Sequence, residues 1–470
     1  MQRATYLNGA WQRSDSSDEI PVVDPYTEAA IGSVPEGTPA EVHRAVTAAR
    51  EAFAAWSRTP LKERLHHLEA IGQGLRSRAE EMAETITTEL GAPIADSRAS
   101  QVGLSLTGFD GVAAVARDYA FEEEIASSLV IREPMGVAAC ITPWNYPLHQ
   151  ITLKVASALA AGCTVVLKPS EVTPFNALLL TEIIDAAGLP PGVFNLVSGS
   201  GAGVGEALVS HPEVDLISFT GSTRAGTRIS ALAAPQIKRL CLELGGKSAA
   251  ILLDDADVDA VVPQVLDRCL TNAGQNCAAL SRLLVPAAAA ERSAAVAAEA
   301  VAAWTMGDPR DESVRLGPVV SSSQWDRVRG YVRAGVESGA RLVCGGVERP
   351  TALPHGYFVP PTVFVDVRPE MSIFREEIFG PVLGITSYTD EDEAVALAND
   401  SPYGLSGAVW GADRDRAVAT ARHLRTGQVT VNGGAYNFFA PFGGYKRSGL
   451  GRESGRYGLE EFLQVKSLQL

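Results

Sequence analysis

Residues 137–167, VAACITPWNYPLHQITLKVASALAAGCTVVL, carry the pattern that decides the fold. A short apolar run, Val137–Ile141, is followed by a longer apolar segment at Leu153–Ala161 and by a second short run at Thr164–Leu167. Short apolar runs bounded by turn residues are typical of buried strands, whereas the longer middle segment has the length of a helix. The stretch therefore predicts a strand, a helix and a second strand, which is the unit of a parallel sheet covered by helices.

The same alternation continues toward the C-terminus. In this first series we predict helices over 174–187, 202–210 and 224–234 and strands over 193–197 and 216–219. In a second series, from about Ser248 to about Asn432, we predict strands over 249–253 and 380–385 and helices over 258–270 and 324–338. Before the first strand, apolar residues recur at helical spacing from about Ala40 to Ser97. The sequence therefore predicts an α/β protein with parallel sheets.

The composition is that of an acidic globular protein. The 470 residues carry a formal net charge of −15, and 46% of them are hydrophobic, which is enough for more than one core. The acidity argues against nucleic acid and anionic membranes as partners. Met1–Thr5 has no apolar signal core, and the apolar stretch Ile151–Leu167 is interrupted by Lys154 and Gly162. We therefore predict a cytoplasmic protein that does not enter a membrane.

Cysteine and histidine are scattered along the chain. The six cysteines are Cys140, Cys163, Cys241, Cys269, Cys277 and Cys344. None belongs to a CxxC pair, and no histidine lies within five residues of a cysteine. This distribution favours free thiols in a reducing compartment and argues against a metal site formed by neighbouring residues.

Three residues are candidates for covalent catalysis. Cys277 closes a polar, glycine-containing loop after a predicted helix, and a thiol there is accessible enough to attack a carbonyl. Glu243 ends an apolar run before two glycines, where an apolar setting raises a carboxyl pKa toward that of a base working near pH 7. Asn145 lies in a loop fixed by two prolines, where its amide is suited to stabilise an oxyanion. Each also has a simpler explanation: Cys277 as a buried thiol, Glu243 as a solvated carboxylate and Asn145 as part of an asparagine turn.

Three predicted strand ends have the features of a nucleotide site. Glycines at alternate positions in 199–205 are a loose match to the GxGxxG fingerprint. Lys168 and Glu171 are placed to hold ribose hydroxyls, and a carboxylate in that position disfavours a 2′-phosphate. The segment 219–223 opens a helix whose N-terminus is suited to face a pyrophosphate. Any one of these is explained by an ordinary helix start, whereas three at successive strand ends predict a dinucleotide site.

Together these motifs resemble those of the aldehyde dehydrogenase superfamily, specifically its hydrolytic, non-phosphorylating, NAD(P)-dependent members, over nearly the whole chain. The matching motifs are Pro143-Trp144-Asn145, Lys168-Pro169-Ser170-Glu171, Phe219-Thr220-Gly221-Ser222, Glu243-Leu244-Gly245-Gly246-Lys247, Gly274-Gln275-Asn276-Cys277, Glu376-Glu377-Ile378-Phe379-Gly380-Pro381 and Pro441-Phe442-Gly443-Gly444-Tyr445-Lys446-Arg447-Ser448-Gly449. The resemblance implies that Cys277 attacks the aldehyde to form a thiohemiacetal, whose oxyanion is stabilised by Asn145 and the Cys277 backbone N–H. It further implies that hydride passes to the nicotinamide and that Glu243 activates the water that hydrolyses the resulting thioester.

The resemblance also implies an architecture and a cofactor site. It implies a Rossmann-type cofactor domain, a second α/β catalytic domain and a small β element used for oligomerisation. The expected boundaries are 1–112 and 135–245 for the NAD-binding domain, 246–435 for the catalytic domain, 436–456 for a segment that returns toward the cofactor domain, and 113–134 with 457–470 for the oligomerisation element. The residues expected to bind NAD are Ile141, Thr142, Trp144, Lys168, Ser170, Glu171, Gly201, Gly205, Phe219, Ser222, Leu244, Glu377 and Phe379. The chain is expected to form a homodimer or homotetramer through a hairpin at 121–132 and its C-terminal strand.

The substrate and the final acyl acceptor leave alternatives open. Aromatic residues among the expected pocket positions favour an apolar or aromatic aldehyde; these positions are Tyr146, His149, Leu153, Asn276, Tyr436, Asn437, Phe438, Phe439 and Phe442. A CoA-acylating semialdehyde dehydrogenase is the main alternative, and the presence of Glu243 argues against it. A non-catalytic relative is disfavoured by the intact candidate residues, and a cysteine hydrolase lacks a clear histidine partner. Glu171 favours NAD, with NADP as the alternative cofactor.

Overall fold

The computed structural model describes residues 5–470, so the first four residues of the expected NAD-binding domain lie outside the described part. The strands are β1 Thr5–Leu7, β2 Ala10–Gln12, β3 Glu19–Val23, β4 Ala30–Pro35, β5 Glu122–Ile125, β6 Ser128–Pro134, β7 Val137–Ile141, β8 Thr164–Lys168, β9 Phe194–Val197, β10 Leu216–Thr220, β11 Arg239–Glu243, β12 Ala249–Leu252, β13 Arg282–Pro286, β14 Arg341–Cys344, β15 Thr362–Val365, β16 Val382–Tyr388, β17 Ser406–Trp410, β18 Gln428–Val431, β19 Gly449–Leu450 and β20 Leu463–Gln469. The α-helices are α1 Pro39–Trp56, α2 Leu61–Ser77, α3 Ala79–Leu90, α4 Ile94–Asp96, α5 Gly103–Asp118, α6 Pro147–Ala161, α7 Phe175–Ala186, α8 Glu206–Ser210, α9 Thr223–Ala233, α10 Val258–Leu270, α11 Ala290–Val301, α12 Ser322–Glu337, α13 Ser372–Arg375, α14 Glu391–Asn399, α15 Arg414–Ala421 and α16 Gly455–Glu460.

The first large sheet has the strand order β19-β11-β10-β7-β8-β9-β1-β2. Its five central strands are parallel, and the chain builds outward from β7 in both directions, to β8 and β9 on one side and to β10 and β11 on the other. The order therefore reverses between β7 and β10. In open α/β sheets ligands bind at such a reversal, beyond the carboxyl ends of the strands.

The second large sheet has the order β14-β15-β16-β13-β12-β17-β18, and it is parallel except at β14. Apolar cores cover both faces of the first sheet, and a separate core packs around the second. The α/β prediction with two parallel sheets is therefore confirmed. The segment 244–248 joins β11 of the first sheet to β12 of the second.

Most predicted elements are present, with differences at their ends. The strand Val137–Ile141 and the helix Val258–Leu270 have the predicted bounds. Helix α6 begins six residues earlier than predicted, because Pro147 at its first position favours helix initiation. The helix predicted over 202–210 is instead a π-helical turn over Gly201–Gly205 followed by α8.

A small antiparallel sheet, β20-β6-β5, stands apart from the two large ones. Strands β5 and β6 form the hairpin expected over 121–132, and β20 pairs with β6 along its whole length. The C-terminal strand is at the edge of this sheet, with Val465 69% exposed. Among the described residues, no helix combines the length and apolar character needed to cross a bilayer.

Candidate active site

The loop that carries Cys277 has a strained backbone. After α10, Asn272, Ala273 and Gly274 have φ values of +54°, +54° and +70°. Non-glycine residues rarely occupy this left-handed region, at a cost on the order of 1–2 kcal/mol each. At Gly274 an added Cβ would lie 2.1 Å from the oxygen of Gly380, so only glycine fits. The turn places the half-buried Cys277 between two cavities.

Hydrogen bonds connect this loop to the loop that follows β7. The Asn272 side chain donates to the backbone oxygen of Asn145 at 2.8 Å, and the Asn145 side chain donates to the backbone oxygen of Gln275 at 3.0 Å. The Val320 backbone N–H donates to the Gln275 side-chain oxygen at 2.9 Å. The Asn145 amide is therefore held beside the Cys277 loop, and one N–H of its NH₂ group remains for another acceptor.

The three candidate catalytic residues share one cavity of about 270 Å³. The cavity lies at the reversal point of the first sheet, and the segments that connect the strands of the second sheet also line it. Its lining consists of Pro143, Trp144, Asn145, Tyr146, Gln150, Thr220, Gly221, Ser222, Glu243, Leu244, Gly245, Cys277, Gln324, Arg327, Glu377 and Phe379. The structure thus brings together Cys277, Glu243 and Asn145, which are far apart in the sequence.

The environment of Cys277 holds its thiol in the protonated form. Burial, with a smaller contribution from the charges of Glu377 and Glu243, raises the pKa of Cys277 to about 12. A thiol of this pKa is almost entirely neutral at pH 7, and the neutral form is a poor nucleophile. The resting site is therefore unreactive until the proton leaves Cys277.

This environment predicts the pH dependence of Cys277 alkylation by iodoacetamide in the cofactor-free protein. Because the pKa lies far above neutrality, the thiolate fraction grows with every unit of pH, and we expect the rate constant to rise about tenfold per unit between pH 7 and 9. Mass spectrometry of the Cys277 peptide measures this rate. A rate that levels off below pH 8 would contradict the raised pKa.

Glu243 is buried without a hydrogen-bond partner. It is the last residue of β11 and 2% exposed, and neither carboxyl oxygen is bonded to any group within residues 5–470. Burial raises the pKa of Glu243 well above the usual value for a glutamate, and the charge of Glu453 adds to the shift, whereas Lys154 opposes it. A carboxyl group of raised pKa is a suitable general base near neutral pH.

Behind Glu243 lies a buried ion pair that the sequence reasoning did not assign to the site. The ammonium group of Lys154 contacts the carboxylate of Glu453, with both side chains almost fully buried. It also donates to the Thr220 hydroxyl at 2.7 Å, and Thr220 donates to the Gln150 side-chain oxygen at 2.9 Å. The sequence contains a feature that could have identified Lys154, because it is the only charged residue in helix α6.

Most of the expected cofactor residues line one of two cavities, and the others lie beside these cavities. Ile141, Gly201, Gly205 and Phe219 line a second cavity of about 490 Å³ at the carboxyl ends of the first sheet. Trp144, Ser222, Leu244, Glu377 and Phe379 line the cavity that holds Cys277. Lys168 and Glu171 form an ion pair at 3.0 Å beside Gly205. Thr142 and Ser170 are buried at the strand ends next to Lys168, outside the lining of these two cavities.

Hydrogen bonds and ring packing hold the side of the Cys277 cavity formed by Glu377 and Phe379, which lie just before β16. The Gly246 backbone N–H donates to the carboxylate of Glu377 at 2.9 Å, and a Cβ at Gly245 would lie 2.3 Å from the same carboxylate. The ring of Phe379 meets that of Trp144 edge-on at 5.3 Å. Phe379 has a φ of +63°, and Gln324 donates to its backbone oxygen at 2.6 Å, which helps to hold this strained residue in place.

These features fit a dinucleotide. The ion-paired Lys168 and Glu171 offer a donor and an acceptor suited to ribose hydroxyls, and the Glu377 carboxylate offers acceptors to a second ribose. At Gly201 an added Cβ would meet nothing within 4 Å, so the backbone faces open space there. Helix α9 begins with Ser222 as its N-cap, between the two cavities.

A third cavity, of about 290 Å³, opens on the other side of Cys277. Of the expected pocket positions, Tyr146, His149, Leu153, Asn276, Tyr436 and Phe442 line it. Phe438 instead packs into the core against Gly108 and Gly111, where the missing Cβ atoms leave room for its ring, and Phe439 is 58% exposed. Sequence reasoning did not identify Arg268, Gln428 and Thr430, which also line this cavity.

The fold and the site define a class: an α/β enzyme with two large sheets and a cysteine nucleophile candidate between them. The sequence profile described as the aldehyde dehydrogenase family matches residues 11–468. The chain belongs to the aldehyde dehydrogenase family.

Individual relatives are similar over their whole length. The chain is 50% identical to 3-succinoylsemialdehyde-pyridine dehydrogenase of a Pseudomonas species, over 99% of this chain and 98% of that protein. Among solved structures, a mutant of aldehyde dehydrogenase C from Pseudomonas syringae, in complex with NAD⁺ and octanal, is 46% identical with a TM-score of 0.99, covering 100% of this chain and 96% of that one. Mycobacterium tuberculosis aldehyde dehydrogenase in complex with NAD⁺ is 40% identical with a TM-score of 0.97, covering 100% of this chain and 98% of that one.

Proposed function

We propose that this protein oxidises an aldehyde to the free carboxylic acid with NAD, through a thioester on Cys277 that is hydrolysed by water activated by Glu243. The observation that carries the proposal is the single cavity shared by Cys277, Glu243 and Asn145. A thiol and a carboxyl base in one cavity are what a two-step covalent oxidation requires. The similarity to dehydrogenases solved with NAD⁺ supports the choice of cofactor.

The side chains have separate tasks in this reaction. The Cys277 thiol gives its proton to solvent water and its sulfur attacks the aldehyde carbon. The free N–H of the Asn145 side chain and the Cys277 backbone N–H donate to the oxyanion that forms. NAD, when bound, supplies the hydride acceptor. Glu243 then takes a proton from water, which attacks the thioester carbon and releases the acid and the Cys277 sulfur.

The oxyanion role predicts a loss of rate in Asn145→Ala. Removing one donor from an oxyanion site lowers kcat by about 10²–10³-fold in other enzymes, and we expect a decrease of that size. Initial rates of NADH formation at saturating aldehyde measure it, with the melting temperature as a check that the bond to Gln275 is not needed for folding. A decrease below threefold in a folded variant would remove Asn145 from the mechanism.

We propose that Glu171 makes NAD the preferred cofactor over NADP. Its carboxylate lies 3.0 Å from the Lys168 ammonium, so a 2′-phosphate placed there would meet a negative charge. We expect kcat/KM to be higher with NAD than with NADP, and Glu171→Gln to narrow the ratio by removing the charge while keeping the shape. A higher kcat/KM with NADP in the wild-type protein would refute the assignment.

The main alternative is transfer of the acyl group to CoA rather than to water. Glu243 favours hydrolysis because it is a buried carboxyl beside the thiol. Acid formation from octanal and NAD without CoA is the direct test, and strict dependence on CoA would overturn the proposal. A cysteine hydrolase is disfavoured, because burial lowers the pKa of His149, the histidine in the third cavity, to about 4 and makes it a weak base near pH 7.

We further propose the expected domain boundaries, an apolar or aromatic aldehyde as substrate, a cytoplasmic location and a homodimeric or homotetrameric assembly. The aromatic side chains of Tyr146, Tyr436 and Phe442 in the third cavity support the substrate class. The exposed edge strand β20 supports self-association, because its unpaired backbone groups are available to another strand. Light scattering after size-exclusion chromatography measures the assembly, and a monomer would contradict it.

A further inference from the structure

The third cavity holds polar atoms that the proposed chemistry does not use. The side-chain nitrogen of Gln428, the hydroxyl of Thr430 and one ring nitrogen of His149 are buried, and none has a hydrogen-bond partner within residues 5–470. All three residues line the cavity that opens at Cys277. Buried polar atoms are nearly always bonded in proteins, so three unpartnered atoms in one cavity call for an explanation.

The placement of Gln428 and Thr430 follows from strand geometry. Both belong to β18, the edge strand of the second sheet, where residues two apart point to the same face. The alternate residues Val429 and Val431 pack against the apolar core of that sheet. Strand β18 therefore places a layer of valines on one side and a polar pair on the side of the aldehyde cavity.

The polar pair is surrounded by side chains suited to carbon chains and rings. Tyr146, Leu153, Leu280 and Phe442 line the same cavity. Arg268 is also present, and its Nη2 donates to the backbone oxygens of Gly433 and Gly434 at 3.1 and 2.9 Å. The buried unpartnered atoms belong to Gln428, Thr430 and His149, all neutral near pH 7, which favours a neutral ligand group over a carboxylate.

We propose that the aldehyde substrate carries a neutral hydrogen-bond acceptor, such as a ketone oxygen or a ring nitrogen, in its otherwise apolar body, and that Gln428 and Thr430 bind it. The Gln428 side-chain nitrogen donates to the acceptor, and the Thr430 hydroxyl donates to the same group. The binding of this acceptor selects such aldehydes over plain alkanals. The inference rests on the proposed oxidation at Cys277 and deepens it by naming the substrate class.

The test compares aldehydes of equal length with NAD as cofactor. The substrates are octanal, 4-oxooctanal and 6-oxooctanal, with succinic semialdehyde as a carboxylate-bearing aldehyde. We expect kcat/KM for at least one oxo-aldehyde to exceed that for octanal by about 10- to 100-fold, because a plain chain leaves the buried polar pair unpartnered. The preference is expected mainly in KM, since the groups bind the substrate away from the reacting carbon.

Variants separate recognition from folding. In Gln428→Leu/Thr430→Val we expect the ratio of kcat/KM between the preferred oxo-aldehyde and octanal to fall to within about threefold of unity. The single variant Thr430→Val is a smaller change and is expected to lower this ratio partially. It replaces the double variant in the test if the double variant does not fold. Gln73→Leu, on the exposed face of α2, is the matched control and is expected to keep the wild-type ratio.

Each outcome has a defined meaning. Equal kcat/KM values of the wild-type protein for octanal and for both oxo-aldehydes would overturn the inference while leaving aldehyde oxidation intact. Variants that keep the preference for an oxo-aldehyde would overturn it in the same way. A preference for succinic semialdehyde over the neutral aldehydes would also overturn it, in favour of recognition by Arg268. Failure to oxidise any of these aldehydes would remove both the proposed function and the inference.

Discussion

Replacing Cys277 with serine is expected to lower kcat/KM for aldehyde oxidation by at least about 10⁴-fold, which is the scale of losses seen when a covalent nucleophile is removed. A serine hydroxyl is far less acidic than a thiol, and the same surroundings that raise the pKa of Cys277 would oppose its ionisation further. NADH formation at saturating NAD, with octanal and 4-oxooctanal as substrates, measures the loss.

Cys344 offers a matched control for this substitution. It is also only half-buried, but it lies on β14 at the far edge of the second sheet, away from the Cys277 cavity. Cys344→Ser is expected to keep the wild-type rate of aldehyde oxidation. Cys277→Ser is expected to bind NADH with the wild-type affinity. If Cys277→Ser retained more than a tenth of the activity, the thiol could not be the nucleophile.

Local patterns predicted the fold well where hydrophobic periodicity governs it. Strand β7 and helix α10 have the predicted bounds, because short buried runs and long amphipathic segments differ in length and spacing. The first turns of α6 were missed because Leu148–Gln150 contain polar residues, whose burial depends on tertiary contacts. The π-helical turn at Gly201–Gly205 was missed for a similar reason, since nothing in a glycine-rich segment distinguishes it from an α-helix start.

The candidate site was predictable only where a motif surrounds the residue. Cys277, Glu243 and Asn145 each lie in a distinctive local sequence, and the structure places them around one cavity. Glu453 has no distinctive local sequence of this kind. Its partner Lys154 is 299 residues away, and only folding brings the two together. Gln428 and Thr430 likewise look like ordinary strand residues until the cavity beside β18 is seen.

Charge explains why these distant residues belong to one site. Glu243, Glu377 and Glu453 all raise the pKa of Cys277, and Glu453 also raises that of Glu243. Lys154 acts in the opposite direction on Glu243. Cys277 and Glu243 therefore both favour their protonated forms more strongly than free side chains do. In the proposed mechanism, Glu243 is the residue whose removal separates the two halves of the reaction.

Replacing Glu243 with glutamine is expected to lower steady-state turnover by about 10²–10⁴-fold, the usual contribution of a general base, while leaving the first hydride transfer largely intact. We expect the variant to form the thioester on Cys277 and to fail to activate the water that removes it. Rapid-mixing kinetics should show a burst of about one NADH per active site followed by a slow phase. Intact-protein mass spectrometry should find the acyl group on Cys277, and a variant without burst or adduct would place Glu243 in the first step instead.

The same substitution is expected to stabilise the fold at alkaline pH, which separates its effect on chemistry from damage to the structure. The pKa of Glu243 is raised in the folded state, so the folded protein favours the neutral carboxyl, and its stability falls as the pH rises through that pKa. Glutamine does not titrate, so the melting temperature of the variant relative to wild type should increase from pH 5 to pH 9. Glu84→Gln, on the exposed side of α3, should show no such trend. A Glu243→Gln variant that becomes relatively less stable as the pH rises would mean that the wild-type carboxylate is stabilised in its charged form, and the neutral resting site would have to be abandoned.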